Sequence, residues 1–434
     1  MDFITLLSSN MPSGFWASII GWFQSFIGNY GWTIVVFTIC LNIVLIPVTF
    51  IQRKITRNNT QKQAILQPEV EKIKKKYAGN EQMINQKTME LYKANNYNVQ
   101  GTCFGLLFTM IATMAIFITL WTGMTNIANF KIGNEYKELK TTYVTAYNED
   151  YDNNFSSYLL SAYEGKTNDE WQTEFDALTD EQKTTYLNSV DVYKLKMKEN
   201  FALNVVIENA QEVVSEKYGE IKEGWLWVKN IFRPDNNSSI FPKTADEFIS
   251  LSGTSFTEQT KVVNDISEVP AGVTPTPVQE ENVTKYSFKY YYENLEGEYA
   301  FTAESAKEMF TEDYTEVTGK LVEDYSGFNG YFILIILAGA VTLLSQLLGN
   351  MGVKAKNKKG DEVSVKNTNK FMLFILPAIM IYFTWRYSAA FAIYIIVNSL
   401  MSALIGFGLN LLMNKLENKK EEKKQPVVEY SRKK

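Results

Sequence analysis

The chain has 434 residues, a formal net charge of −5 and no histidine. The missing imidazole removes the commonest general base and metal ligand, and the chain has no P-loop, paired-cysteine zinc pattern or nucleophile elbow. Its mean hydropathy of −0.16 suggests a soluble protein, but the charges are segregated rather than mixed.

No charged residue occurs from Phe3 to Gln52, from Ala94 to Phe130, from Ser326 to Val353, from Phe371 to Trp385, or from Tyr387 to Asn414. A membrane span needs roughly 20 mostly apolar residues. The sequence therefore predicts five spans, near Tyr30–Ile51, Cys103–Met124, Phe328–Leu348, Phe371–Trp385 and Ala389–Met413. Outside 129–325, 24 of 25 basic residues fall in Arg53–Lys93, Lys354–Lys370 and Lys415–Lys434; Arg386 is the exception. Short loops rich in Lys and Arg stay in the cytoplasm, and long domains cross largely regardless of charge. The N-terminus is expected outside and the C-terminus inside. Trp32, Trp121 and Trp385 fall at the expected outer span ends, where indoles favour the headgroup level.

In chain order, residues 1–29 form the first region. Met1–Ser13 has no basic n-region and no cleavage site, so no conventional signal peptide is expected. Gly14–Asn29 places Phe15, Trp16, Ile19, Ile20, Phe23, Phe26 and Ile27 at near-helical spacing and is expected to lie in the outer interface. The competing reading is a sixth span. Residues 30–128 hold the first two spans, with a cytoplasmic helical hairpin over 52–100 between them. Ile65, Val70, Ile73 and Tyr77 share one stripe, Ala78-Gly79-Asn80 breaks the helix, and Met83–Tyr97 forms the second arm. A basic loop that only orients the protein is the alternative.

Residues 129–325 carry 37 acidic and 18 basic residues, a net of −19. They read as an inserted mixed α+β extracytoplasmic domain, helical to about Phe232 through stretches such as Asn204–Lys229. YSFKYYYENLEGEYAFTA reads as strand, turn and strand, and Thr302–Leu321 as a closing helix. Without cysteines this domain has no disulfides. Its acidity argues against nucleic acid, so no DNA partner is expected. Glu149–Asn154 lacks the glycine and terminal glutamate of a calcium loop and reads as a solvated acidic turn. No cofactor is expected.

Residues 326–413 hold the last three spans with a cytoplasmic loop at 351–370. Residues 414–434 are a basic cytoplasmic tail, expected to be disordered after its first turns. Its Lys419, Lys420, Lys423, Lys424, Arg432, Lys433 and Lys434 suit anionic lipid or ribosomal RNA; a topology anchor explains them equally well.

GWFQSFIGNYGWTIVVF, Pro47, LQPEVEKIKKKY followed by MELYK, Gly101 and Cys103, LWVKNI at Leu226–Ile231, Thr342 with Gln346, and Trp385 followed by IYIIVNSL resemble, in this order, segments of the YidC-type membrane protein insertase family. The resemblance covers roughly 14–130, 224–235 and 327–424. It implies an α-helical polytopic membrane protein with a five-span core and a cytoplasmic hairpin, in a bacterial plasma membrane. The family's members are not enzymes. They receive nascent membrane proteins in a hydrophilic groove open to the cytoplasm and to lipid, alone or beside the Sec translocon, with the ribosome as a further partner. The family's groove arginine falls here on Asn42, its groove glutamine on Thr109. The polar span residues expected to line the groove are Asn42, Thr109, Thr113, Gln346, Asn398 and Ser402, the last two one turn apart. Arg53, Lys54, Arg57, Lys72, Lys75 and Lys76 are the expected capture residues of the hairpin. The groove residues could instead be interhelical polar contacts. The alternative function is a membrane-anchored scaffold whose extracytoplasmic domain binds a partner.

Overall fold

The structure, a computed structural model, describes residues 12, 14–95, 99–164, 177–179, 181–182, 192–280, 283–350, 355–356, 362–363 and 370–422, with some side chains inside these ranges, 99–110 and 112–113 among them, not described. The described residues are mostly helical, and they fall into two compact units.

One unit comprises 14–124, 234–236 and 331–434. Its first helix, α1 (Phe15–Ile27), ends at Gly28, whose φ of 81° is a left-handed conformation that glycine adopts without a Cβ penalty. Asn29 then caps α2 (Tyr30–Val44) by accepting from the Trp32 amide at 3.2 Å. The chain bends by 120° between the two helices. Helix α3 (Ile46–Lys76) follows after a break at Leu45. Pro47 has no N–H to give the Ile43 carbonyl, so the ladder fails there. At Gly79, φ 90°, the chain turns, and Asn80 caps α4 (Glu81–Ala94) through the Met83 amide at 3.0 Å. Helices α3 and α4 pack as the hairpin arms. The second arm ends three residues before the expected Tyr97.

Helix α5 runs unbroken over Val99–Glu164, and Met124 is its last residue in this unit. The later helices here are α9 (Ile333–Asn350), α10 (Lys370–Arg386) and α11 (Ala389–Glu422), with short paired strands β6 (Ala355–Lys356) and β7 (Glu362–Val363) inside the expected loop. Helix α9 starts five residues later than the expected Phe328. Among the described residues, one helix, Ala389–Leu416, is long and apolar enough to cross a membrane alone. Helices α1 and α2 pass that test as a bent pair, and Ile333–Leu348 and Phe374–Arg386 are shorter apolar helices.

The other unit holds 125–233 and 237–330. Its helices are the rest of α5, α6 (Val192–Ile221), α7 (Ala245–Ser252) and α8 (Ala303–Asp324). Helix α6 stops at Ile221, so the expected helical stretch to Lys229 is overturned. Glu149–Asn154 lies inside α5 and is not the acidic turn expected. Thr302 caps α8 through the Ser305 amide at 3.1 Å. Strand β3 (Val283–Tyr290) is the centre of an antiparallel sheet between β1 (Gln259–Val263) and β2 (Thr276–Glu280), with Val263 opposite Tyr286 and Thr276 opposite Ser287. Strands β4 (Tyr292–Glu293) and β5 (Tyr299–Ala300) pair across a turn closed by Gly297. The expected strand–turn–strand therefore divides: its first half joins β1 and β2, and only the short β4–β5 hairpin matches the turn. The core is aromatic. Tyr136 of α5 lies 4.8 Å from Phe248 of α7 and 5.7 and 5.3 Å from Phe310 and Tyr314 of α8.

Candidate functional site

From Asn398 onward, every fourth residue of α11 is polar or small: Asn398, Ser402, Gly406, Asn410 and Asn414. Residues four apart form a continuous ridge on a helix. Along that ridge lies a seam of polar contacts with α2 and α3. The Asn42 amide donates to Asn398 Oδ1 at 3.0 Å and to the Thr38 carbonyl at 2.9 Å. Asn42 is 8% exposed. Arg53 Nη2 donates to the Ser402 carbonyl at 3.2 Å, and Arg57 Nη2 donates to Asn414 Oδ1. Beside this line, Ser399 and Thr342 of α9 make a long hydroxyl contact of 3.4 Å.

Gly406 belongs to the seam for a steric reason. A Cβ there would overlap the Arg53 guanidinium. The glycine therefore lets the cation lie flat on α11. Gly406→Leu is expected to displace Arg53 and to cost about 1–3 kcal/mol, the usual range for overpacking. Thermal unfolding in detergent measures this; an unchanged midpoint would mean the guanidinium has somewhere else to go.

Packing along these helices is uneven. At one end α2 buries Tyr30, Ile34 and Phe37, α5 buries Leu120 and Met124, α9 buries Leu334, Ile335 and Ala338, and α11 buries all of Ala389–Ile395. Rings close this end: Trp121 lies 6.3 Å from Phe383 and 5.0 Å from Tyr387, and Phe117 lies 6.0 Å from Phe391. Toward the other end the same helices expose Val44, Ile111, Met114, Leu344, Leu347, Leu404 and Leu411, Val44 to 73%, and α3, which continues α2, exposes Val48 and Ile51. The polar seam begins where the tight packing stops.

Asp235 and Asn236 clamp the packed end. Asp235 is fully buried. Its carboxylate accepts from the Tyr331 amide at 2.8 Å and the Leu334 amide at 2.6 Å, and its carbonyl accepts from the Phe332 amide at 3.1 Å. These are the orphan donors at the start of α9, where an anion is favoured. Asn236 donates to the Trp385 carbonyl at 3.1 Å, at the end of α10. Phe332 takes a φ of 63° to make the approach.

Of the expected groove residues, Asn42, Asn398 and Ser402 come together in the seam. Gln346 is half-buried on α9, one turn beyond Thr342. The Thr109 and Thr113 side chains lie outside the described ones. The six expected capture residues separate. Lys54, Lys72, Lys75 and Lys76 are exposed on α3, Lys72 paired with Glu69 at 2.8 Å, whereas Arg53 is half-buried and Arg57 buried against α11. A guanidinium carries five donors and is costly to bury without acceptors; the seam offers the Ser402 carbonyl to Arg53 and Asn414 Oδ1 to Arg57. The side chains of Lys419 and Lys420, and the whole of Lys423, Lys424, Arg432, Lys433 and Lys434, lie outside the described part. Sequence reasoning missed Gly406, Asn410 and Asn414, although the fourfold spacing was there to see. It also missed Asp235 and Asn236, whose partners are too far along the chain for any spacing rule.

Residues 22–161 match the family model described as 60Kd inner membrane protein. The chain is 37% identical over 115 residues to the membrane protein insertase YidC of Fusobacterium nucleatum subsp. nucleatum, covering 26% of this chain and 54% of that protein. It is 34% identical over 103 residues to the membrane protein insertase YidC of Wolinella succinogenes, covering 24% of this chain and 18% of that protein. The chain thus spans about half the length of the first of these relatives and less of the second. No solved structure matches it. Over residues 22–161 the chain is thus similar to the 60Kd inner membrane protein family, and the two relatives above share the name membrane protein insertase YidC.

Proposed function

We propose that the chain is a membrane protein insertase whose polar seam receives nascent membrane proteins and releases their apolar segments into lipid. The single observation that carries this reading is the coincidence of two gradients along one set of helices. Apolar packing loosens from the Tyr30 and Ala389 end toward the other end, and the asparagines and arginines line the loosened half. Five spans, with the N-terminus outside and the C-terminus in the cytoplasm, put the packed end outside and the open half toward the cytoplasm.

The chemistry follows from solvation. A polar substrate tail is costly to move into hydrocarbon. A wet recess reaching partway through the bilayer shortens that path, and the substrate's apolar segment then leaves sideways by the hydrophobic effect. Helix α10 has 17 residues, about 25 Å at 1.5 Å each, short of a hydrocarbon core of about 30 Å; local thinning would lower the barrier further. Asn42 supplies donors and acceptors but no charge. Arg53, bonded one turn along α11 from Asn398, supplies the positive charge that the resemblance leads one to expect at Asn42. The exposed lysines of α3 make first contact, and the basic tail engages lipid or a ribosome, with the Sec translocon as a neighbour. The names of the relatives do not favour the scaffold reading.

The test is reconstitution into liposomes with a small single-span substrate. A photo-crosslinker at Asn42 should capture the arriving chain several-fold more than one at Ile336, an exposed apolar position of α9. Equal capture at the two sites would refute the seam as the receiving surface.

A further inference from the structure

Trp225 to Val228 form a closed turn in which each terminal residue donates to the other's carbonyl at 2.9 Å. Its first central residue, Leu226, has a φ of 52° and is 64% exposed. A left-handed leucine costs roughly 1–2 kcal/mol, and here its side chain returns nothing to the core. Such strain at a surface position points to a role outside folding.

The turn stands on a rigid base. Val228 is buried beneath it. The Asn230 amide N–H donates to Asn329 Oδ1 at 2.7 Å, Asn329 Nδ2 donates to the Asn230 carbonyl at 2.8 Å, and the Lys229 amide donates to the Asn329 carbonyl at 3.1 Å. The segment carrying Phe328 is therefore laid alongside. Phe328 is 61% exposed. Trp225 and Trp227 lie 6.4 Å apart, and the exposed Lys229 is next in sequence. Exposed apolar residues elsewhere in this unit, such as Val144 and Val262, need no explanation singly; here Leu226 and Phe328 are exposed beside two half-buried tryptophans.

We propose that this turn, with Phe328, is seated in the outer headgroup layer of the bilayer. The proposal rests on the orientation given above. Asn329 precedes Ile333, the first residue of α9, by four residues, so the turn's base is tied within about 14 Å of chain to that helix. Indoles favour the headgroup level, leucine and phenylalanine reach the upper acyl region, and a lysine beside them extends its ammonium to lipid phosphate. The occupant is thus phospholipid of the outer leaflet.

The experiment is spin-label depth measurement on the full chain in proteoliposomes. Labels are placed by Leu226→Cys, Phe328→Cys and, as an aqueous reference in the same unit, Ala271→Cys, each with Cys40→Ser and Cys103→Ser. The ratio of oxygen to water-soluble relaxant accessibility should be several-fold higher at the first two positions than at the third. Equal ratios at all three sites would overturn the lipid contact and leave the insertase reading untouched. An impermeant thiol reagent supplied outside should label Ala271→Cys. Labelling only from the lumenal, cytoplasm-equivalent side would overturn the outer-leaflet assignment through the orientation itself.

Discussion

Asp235→Ala is expected to destabilise the packed end of the α9–α11 bundle by on the order of 3–5 kcal/mol. The buried carboxylate satisfies two backbone donors, the Tyr331 and Leu334 amides. Hydrogen bonds to a charged group contribute about 1.5–3 kcal/mol each, and a buried donor left alone costs about 1–3 kcal/mol. Alanine removes both acceptors together and fills none of the space. Asp235→Asn keeps one acceptor oxygen and should lose roughly half as much. Asn236→Ala breaks one neutral bond, to the Trp385 carbonyl, and should lose about 1 kcal/mol. Hydrogen exchange over 331–336 is the discriminating measurement, with thermal unfolding beside it. Protection at Leu334 that survives Asp235→Ala would mean that α9 starts where it does for another reason. Residues 237–330 leave at Asn236 and return at Tyr331, and loop closure costs grow only slowly with length. A large insertion is tolerable at this place because local bonds, rather than a short loop, fix the two ends.

That clamp also shows what the sequence could and could not disclose. The uncharged runs marked α10 almost to the residue and the start of α11, which runs on to Glu422 past the expected Met413, because a change of solvent is written directly in composition. The hairpin was legible for a similar reason: a period near 3.6 stops at Gly79, whose φ of 90° no ordinary residue favours. The start of the third apolar helix was not legible. Residues from Phe328 are apolar enough to belong to it, yet bonds to Asp235 hold Tyr331 and Phe332 out of the helix. Helix α5 failed in the opposite sense. Charge returns at Lys131, but the helix continues to Glu164, since composition marks where water begins and not where hydrogen bonding ends. Arg53 and Arg57 are the instructive pair for the site. Positive charge beside a span is ordinarily read as a cytoplasmic marker, and only the partner ridge on α11, with a glycine at 406, reveals that these two turn inward. Strands β1 and β2, QTKVV and TPVQE, carry no clear alternation, and their pairing to β3 is decided by tertiary contacts rather than by local preference.

Glu135→Gln should abolish a fall in stability that the native protein shows as pH rises from about 5 to 8. Glu135 sits on α5 in the other unit, buried and facing Glu223, Lys131 and Glu138. Burial raises its pKa from 4.5 to about 8; the Glu223 charge adds to this, Lys131 opposes it, and Glu138 adds again. Lys131 is itself bonded to Glu223 at 3.0 Å, so its charge is shared. The sign is fixed by linkage. Between the two pKa values the folded state holds a proton that the unfolded chain has released, so the slope of stability against pH is negative. Stability is greatest below about pH 4.5 as far as this group is concerned, and the loss is complete above about pH 8. At about 1.36 kcal/mol per pH unit, the whole fall is on the order of 3–5 kcal/mol. Glutamine keeps the shape and stays neutral, so the variant should match the native protein near pH 5 and exceed it by most of that amount at pH 9. Glu223→Gln removes the repelling neighbour and should move the fall to lower pH, while Lys131→Met removes the opposing cation and should move it higher. Circular dichroism melts at pH 5, 7 and 9 compare the four proteins. Parallel curves for Glu135→Gln and the native chain would place the buried carboxyl's proton elsewhere, and opposite displacements by the two neighbours would tie the effect to this cluster rather than to the net acidity of the unit.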